Sequence, residues 1–175
     1  MKKYYLFTPG PTPLPEEVRE AGSLPMIHHR TDDFIRIYHR CSEDLKYVFQ
    51  TDRPVYLLLS SGTGIMETAV INFLSPGDTI LVINAGKFGE RWSHIARAYG
   101  IRVIELKYTW GQGFSIRDIR NALKDHPSIK AVYTQLCETS TGVVMDIKKL
   151  GALLKNEKPV FVVDAISGLG AEEFH

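Results

Sequence analysis

Residues 79–106, TILVINAGKFGERWSHIARAYGIRVIEL, decide the fold because they alternate between two kinds of apolar segment. Short apolar runs at 79–83 and 102–106 have the length and composition of buried strands. The longer segment between them, 88–99, has a helical pattern. A strand, a helix and a second strand in this order predict two parallel strands joined by a helix that packs on the sheet.

The same alternation continues on both sides of this stretch. It predicts an α/β fold, a three-layer αβα sandwich with a mainly parallel sheet. In such sheets, ligands bind at the carboxyl ends of the strands. The predicted strands are 55–59, 79–83, 102–106, 131–134 and 160–163, and the predicted helices between them are 64–74, 88–99, 116–125 and 147–156.

The segment before these elements is rich in proline. Four prolines fall in the eight residues from Thr8 to Pro15. Proline is excluded from helix interiors and central strands, so an extended arm is expected here. A helix should begin near Pro15, and a longer one should follow at 32–49, capped by Thr31 or Asp32.

Length and composition are those of an ordinary globular protein. The 175 residues are 44% hydrophobic and 23% charged, which is enough for one full-sized domain. We expect residues 1–20 to form an N-terminal arm and residues 21–175 to form one large domain. Lysine and arginine number 21 and aspartate and glutamate 20, so the net charge of +1 does not indicate a nucleic acid or an anionic membrane as partner.

Cysteine usage and apolar runs bear on the compartment. Cys41 and Cys137 lie far apart and form neither a CxxC pair nor another metal-ligand spacing, so no metal is expected. Free thiols favour a reducing, cytoplasmic setting. No run approaches the roughly 20 apolar residues that span a bilayer. Prolines interrupt the N-terminal stretch, which lacks the apolar core of a signal peptide, so we expect a soluble protein.

Small residues follow the first predicted strand and precede a helix. Ser61, Gly62 and Thr63 lie at this turn, where a helix N-terminus offers unpaired N–H donors and a partial positive charge. The turn suits a phosphate group. It is not a Walker A loop, and Glu67 replaces the third glycine of a GxGxxG motif. A glycine-rich turn without a ligand is the alternative.

Side chains that could bind a ligand also lie at or after the ends of three further predicted strands. Phe88 can stack on a planar ring, or it can pack inward as an ordinary hydrophobic residue. Thr139 or Ser140 can bond a ligand hydroxyl or phosphate, or bond the backbone of its own turn. Asp164 ends a buried strand, where a carboxylate needs a partner. That partner can be a protonated pyridine nitrogen, a metal, a ribose or a structural N–H group.

Taken together, these motifs resemble the alanine–glyoxylate and serine–pyruvate branch of the class V aminotransferases, which are fold-type I enzymes dependent on pyridoxal 5'-phosphate (PLP). The resemblance extends over essentially the whole chain, with the motifs in the family's order. It implies the large domain of a PLP transferase, in incomplete form. The motifs are TPGPTPLP at 8–15, SSGTGIMETAV at 60–70, NAGKFGERW at 84–92, ETSTGVV at 138–144 and VVDAISGLG at 162–170.

The resemblance assigns roles to matching residues. Ser61, Gly62 and Thr63 would hold the phosphate of PLP. Phe88 would stack on the pyridine ring, at a position that is often tryptophan in this branch. Asp164 would pair with the ring nitrogen and keep it protonated, which makes Asp164 the one catalytic residue assigned in this chain.

Two more roles follow from the resemblance, and one family residue is missing. Thr139 would bond near the 3-hydroxyl of the ring, and Gly10 would lie near the substrate. The Schiff-base lysine of the family lies in a short loop beyond the aspartate strand, and residues 165–175 contain no lysine. We therefore expect the 175-residue chain, as a fragment of such an enzyme, to be inactive by itself.

The resemblance implies a transaminase that moves an amino group between an amino acid and a 2-oxo acid. Alanine, serine or aspartate would be the donor, and glyoxylate or pyruvate the acceptor. The family also implies a homodimer. Two alternatives stay open: another fold-type I PLP enzyme, such as a desulfurase or lyase, and a non-catalytic α/β ligand-binding module. Phe88 favours the transaminase over the desulfurase, because desulfurase relatives tend to have histidine at that position.

Overall fold

A computed structural model describes residues 5–172 of the chain. The chain divides into two compact units, one up to Leu57 and one from Leu58 onward. The domain boundary predicted at residue 20 is not tested by this division and stays a prediction. In the described part of the chain, no helix combines the length and the apolar character needed to cross a membrane.

The first unit contains two helices, α1 (Glu16–Gly22) and α2 (Asp32–Phe49). Both lie where the sequence predicted them. Thr31 caps α2, because its hydroxyl oxygen accepts a hydrogen bond from the Phe34 N–H at 3.4 Å. Gln50 ends α2 in the left-handed conformation, with φ at 49°.

The second unit alternates strands and helices as predicted. Serine, glycine and aspartate residues at the element ends supply the turns and caps, while β-branched residues fill the strands. Two short strands form a separate antiparallel pair. The elements of this unit are α3 (Gly62–Phe73), β1 (Thr79–Asn84), α4 (Lys87–Ala98), β2 (Arg102–Lys107), α5 (Ile116–Asp125), β3 (Ile129–Gln135), β4 (Cys137–Glu138), β5 (Val143–Val144), α6 (Ile147–Leu154) and β6 (Val160–Asp164).

The main sheet has the order β2-β1-β3-β6, and its strands pair in parallel. All six residues of β1 are buried, as expected for a central strand covered on both faces. One apolar cluster packs α3 and α4 on one face, and a second packs α5 and α6 on the other. The predicted αβα sandwich with a mainly parallel sheet is confirmed.

The strand predicted at 55–59 is wrong. These residues form no strand, and Leu59 is fully exposed at 109% of its reference area. A strand requires a neighbour that completes its hydrogen-bond ladder, and no described residue pairs with this run. The turn before α3 therefore follows an irregular segment. Helix α3 also begins two residues before its predicted start, because Ser61 acts as its N-cap.

Candidate functional site

A cavity of about 280 Å³ lies within the second unit, at the carboxyl edge of the main sheet. It is bounded by the first turn of α3, the first turn of α4 and the end of β6. Five of the residues that the sequence predicted for a site contribute to its lining. The lining consists of Ser61, Gly62, Thr63, Met66, Phe88, Arg91, Asp164 and Ile166.

The N-terminus of α3 forms one wall of the cavity. The Ser61 hydroxyl oxygen accepts from the Gly64 N–H at 3.2 Å, and the Ser61 carbonyl accepts from the Ile65 N–H at 3.1 Å. The N–H groups of Gly62 and Thr63 precede these bonds and have no intrahelical acceptor. With the helix dipole, they give this wall a positive character that suits an anion.

Gly64 follows Thr63 in the first turn of α3, and it was not among the predicted site residues. A Cβ atom at this position would clash with the Ser60 Oγ atom. A larger residue therefore requires the Ser60 side chain to move. The pattern Gly62-x-Gly64 before a helix was the available signal.

Phe88 lies in the first turn of α4 and is half-buried. The Arg91 guanidinium carbon lies 4.7 Å from the centroid of the Phe88 ring. Arg91 also donates from Nη1 to the Thr63 hydroxyl oxygen at 3.0 Å, so it connects the two helix termini. Arg91 was not predicted as a site residue, although its position three residues after Phe88 places both on one helix face.

Asp164 ends β6 and is half-buried. One of its carboxylate oxygens, Oδ1, accepts from the Ile166 N–H at 3.0 Å. Burial raises the pKa of Asp164 above its ordinary value, the hydrogen bond from Ile166 lowers it, and the charge of Glu138 raises it again. The net effect is a raised pKa. A carboxylate in this position gains from a cationic partner in the cavity.

Gln135 lies next to Asp164 on the neighbouring strand, in parallel register. Its side chain is 1% exposed, and neither its amide nitrogen nor its amide oxygen has a hydrogen-bond partner among the described residues. The Gln135 amide at the end of β3 can therefore still form hydrogen bonds beside Asp164.

Glu138 accepts several hydrogen bonds at this edge of the sheet, and it was not predicted from the sequence. Its side chain is fully buried at 0% exposure. Its two carboxylate oxygens accept from the N–H of Phe88 at 3.2 Å and of Gly89 at 2.9 Å. They also accept from the Ser140 N–H at 3.2 Å and the Ser140 hydroxyl at 2.6 Å. No local sequence pattern predicts the hydrogen bonds between Glu138 and helix α4, because Glu138 and Phe88 are 50 positions apart.

Two predicted residues do not line the cavity. The Thr139 hydroxyl forms a short hydrogen bond with the Ser167 hydroxyl, in the segment that follows β6. Thr139 is still adjacent to Glu138, at the same edge of the sheet. Gly10 belongs to the first unit, and its place near a substrate stays a prediction.

A family model described as "Aminotransferase class-V" matches residues 4–175 of the chain. The chain belongs to the class V aminotransferase family. The resemblance of the sequence motifs is thereby confirmed, and PLP is the cofactor that the family implies. Related proteins add detail at the level of sequence and structure.

An uncharacterized aminotransferase of Helicobacter pylori is 46% identical over 169 residues, which are 95% of this chain and 45% of the relative. The L-aspartate–glyoxylate aminotransferase of Paracoccus denitrificans is 38% identical and is matched over 97% of this chain and 44% of its own length. The crystal structure of an alanine–glyoxylate aminotransferase from Nostoc has a TM-score of 0.90 and 30% identity, over 95% of this chain and 44% of that one. The chain thus spans about half the length of the relatives it matches.

The residues of the cavity fit the cofactor of this family. The free N–H groups of Gly62 and Thr63 suit a phosphate, and the Phe88 ring suits a planar heterocycle. Burial raises the pKa of Asp164 although the charge of Arg91 lowers it, so the carboxylate would gain from a further cationic partner. A protonated pyridine nitrogen would supply that partner.

Proposed function

We propose that this chain forms the PLP-binding half of a transaminase site. The enzyme would move an amino group from alanine, serine or aspartate to glyoxylate or pyruvate. The observation that supports this proposal best is the convergence of three features on one cavity: a helix N-terminus, an aromatic ring and a half-buried carboxyl group. The names of the relatives support aspartate and alanine as donors and glyoxylate as acceptor.

The first turn of α3 would bind the phosphate group. The N–H groups of Gly62 and Thr63 would donate to phosphate oxygens, and the Thr63 hydroxyl could donate as well. Arg91 already donates to the oxygen of that hydroxyl, which leaves the hydroxyl hydrogen free to point to another acceptor. Arg91 also brings positive charge to this wall of the cavity.

Phe88 would hold the cofactor ring in place by stacking. The Phe88 ring lines the cavity, where it would contact a planar group, and the guanidinium of Arg91 lies over the same ring. Thr139 would act at the edge of the cofactor ring, with its hydroxyl oriented by the bond to Ser167.

Asp164 would hold a proton on the pyridine nitrogen. PLP, when bound, supplies an electron sink for the bonds that are broken at the amino acid carbon. A carboxylate beside the ring nitrogen keeps that nitrogen protonated and thereby strengthens the sink. The Ile166 N–H fixes one carboxylate oxygen, Oδ1, which orients the other oxygen.

By itself, the 175-residue chain should bind the cofactor without turning over substrate. The resemblance places the Schiff-base lysine in a loop beyond the aspartate strand, and residues 165–175 contain no lysine. Borohydride reduction of the mixture with PLP should therefore label no single lysine. One lysine labelled specifically and to completion would contradict this expectation.

We also propose that the protein works as a homodimer in the cytoplasm. Large apolar side chains of the first unit are exposed, among them Phe7 at 95% and Met26 at 99%. Exposed apolar surface of this kind favours association. Light scattering should give a mass that rises with concentration towards twice that of the chain, and strictly monomeric behaviour would contradict the dimer.

PLP titration tests the proposed function. Saturable binding, followed by the change in cofactor absorbance, is the expected result. Asp164→Asn should weaken binding by roughly tenfold to a hundredfold, the usual effect of losing a charge-assisted hydrogen bond. Asp146→Asn is the matched control, because Asp146 caps α6 and does not line the cavity.

Pyridoxal, which lacks the phosphate, provides a second control. It should bind far more weakly than PLP if the first turn of α3 takes the phosphate. Equal binding of the two compounds, or equal effects of the two aspartate variants, would overturn the proposed assignment of the cavity.

A further inference from the structure

Helix α4, which carries Phe88, has no side-chain cap of its own. Its N-cap residue is Gly86, and no side chain within this turn accepts a hydrogen bond from the first N–H groups. Those groups need acceptors, because the first four N–H groups of a helix have none inside it.

The acceptors come from the segment after β3. The Ser140 hydroxyl oxygen accepts from the Lys87 N–H at 3.0 Å, and the Glu138 carboxylate accepts from the N–H of Phe88 and of Gly89. Three consecutive N–H groups of α4 are thus capped from about 50 positions further along the chain. A carboxylate here also interacts favourably with the positive end of the helix dipole.

The fit between the two segments is close. A Cβ atom on Gly86 would lie 2.5 Å from the Glu138 Cδ and Cγ atoms and 2.5 Å from the Ser140 Oγ atom. Glycine at position 86 therefore lets the carboxylate pack against the backbone of the turn. This close packing leaves little room for Phe88 to shift relative to Glu138.

We propose that Glu138 is a positioning residue for cofactor binding, which holds the Phe88 ring in its stacking position by fixing the first turn of α4. The inference rests on the proposed function. Glu138 acts through the backbone of Phe88 and need not touch the cofactor. The same residue joins α4 to Thr139 and Ser140, so the ring-stacking and hydroxyl-bearing segments keep a fixed separation.

A double-mutant cycle on PLP affinity tests this role. Glu138→Gln keeps the shape of the side chain but replaces one acceptor oxygen with an NH₂ group, which faces N–H donors and cannot accept from them. Phe88→Ala removes the stacking ring. In the parent chain, we expect Phe88→Ala to weaken PLP binding about tenfold.

In the Glu138→Gln background, the same Phe88→Ala change should weaken binding by about threefold or less, because the ring no longer has a fixed position. A Phe88→Ala effect that is equal in both backgrounds would overturn the inference while leaving the proposed function intact. If the parent chain shows no saturable PLP binding, the proposed function fails and the inference fails with it.

Glu105→Gln is the control for a purely structural effect. Glu105 also ties α4 to the sheet, since its carboxylate accepts from the Ser93 hydroxyl at 2.9 Å and from Arg97 at 3.1 Å. It does not line the cavity. Its loss should lower the melting temperature but leave PLP affinity and the Phe88→Ala effect unchanged. A Glu105→Gln effect on the cycle as large as that of Glu138→Gln would overturn the positioning role.

If Glu138→Gln does not fold, Ser140→Ala provides a second test of the inference. This variant removes the acceptor for the Lys87 N–H and one donor to Glu138, and it leaves the carboxylate in place. The cycle with Phe88→Ala should then show coupling of the same sign and smaller size. Strict additivity in a folded Ser140→Ala protein would overturn the inference.

Discussion

The ionisation of Asp164 links the candidate site to the stability of the protein. Its pKa is raised because burial disfavours the charged form, and the nearby Glu138 charge adds to this effect. The native state without a ligand therefore binds a proton at Asp164 more tightly than the unfolded chain does. A raised carboxyl pKa makes stability fall as the pH rises from the unfolded pKa through the native pKa.

The predicted consequence is a pH-dependent difference between the parent chain and Asp164→Asn. The free energy of unfolding of the parent, relative to the variant, should be largest at acid pH, should decrease as the pH rises, and should level off above the native pKa. Urea unfolding at a series of pH values, without PLP, measures this difference. A difference that is constant or grows with pH would contradict the raised pKa.

At the residue scale, the sequence predicted which side chains line the cavity better than it predicted the hydrogen bonds around them. Phe88 and Asp164 line one cavity because the parallel strands β1 and β6 end at the same edge of the sheet. Ser61, Gly62 and Thr63 line it from the start of helix α3, which no strand precedes in the described part of the chain. The contacts of Glu138 depend on the distance between two turns after folding. Periodicity and local motifs contain no information on that distance.

At the scale of elements, the start of helix α4 packs closely against strand β1 at Gly89. A Cβ atom on Gly89 would lie 2.9 Å from the Asn84 Cα atom and 3.0 Å from the Ile83 carbonyl oxygen. Both are backbone atoms, which cannot move aside as a side chain can. Glycine at position 89 therefore sets the spacing between the helix and the central strand.

We predict that Gly89→Ala destabilises the protein by about 1–3 kcal/mol, the usual range for overpacking. Gly151→Ala is the matched control, because its Cβ atom would lie 3.8 Å from the Phe161 ring, an ordinary contact. Alanine in helix α6 should be neutral or stabilising by up to about 1 kcal/mol. Urea midpoints measure both variants, and effects of the same sign and size would contradict this account.

Element boundaries were predictable where the local pattern and the tertiary partners agree. Helix α5 occupies the predicted residues because Ser115 caps it and its apolar positions face the sheet. The run at 55–59 has the composition of a strand but no ladder partner in the described structure. An apolar run establishes a preference for strand, and a neighbour decides whether the strand forms.

At the scale of the whole molecule, the buried core belongs to the second unit. Both apolar clusters consist of residues from Met66 onward. Helices α1 and α2 of the first unit contain no buried residue. Since burial of apolar surface is the main favourable term in folding, the stability of the chain should come from the second unit.

Residues 58–175 expressed alone should therefore unfold in a single cooperative transition. Residues 1–57 alone are the control and should show no such transition, because their helices lack a core. Thermal unfolding followed by circular dichroism checks both peptides. Loss of the cooperative transition in residues 58–175 would show that the first unit supplies stability that its burial does not reveal.

The central claim is that this chain holds the ring nitrogen of PLP through Asp164. The most direct measurement is the ¹⁵N chemical shift of ring-labelled PLP in complex with the protein, at a pH where the free cofactor is deprotonated. The account predicts a protonated nitrogen in the parent chain and in Asp146→Asn, and an unprotonated one in Asp164→Asn. An unprotonated nitrogen in the parent chain, or the same shift in all three proteins, would contradict it.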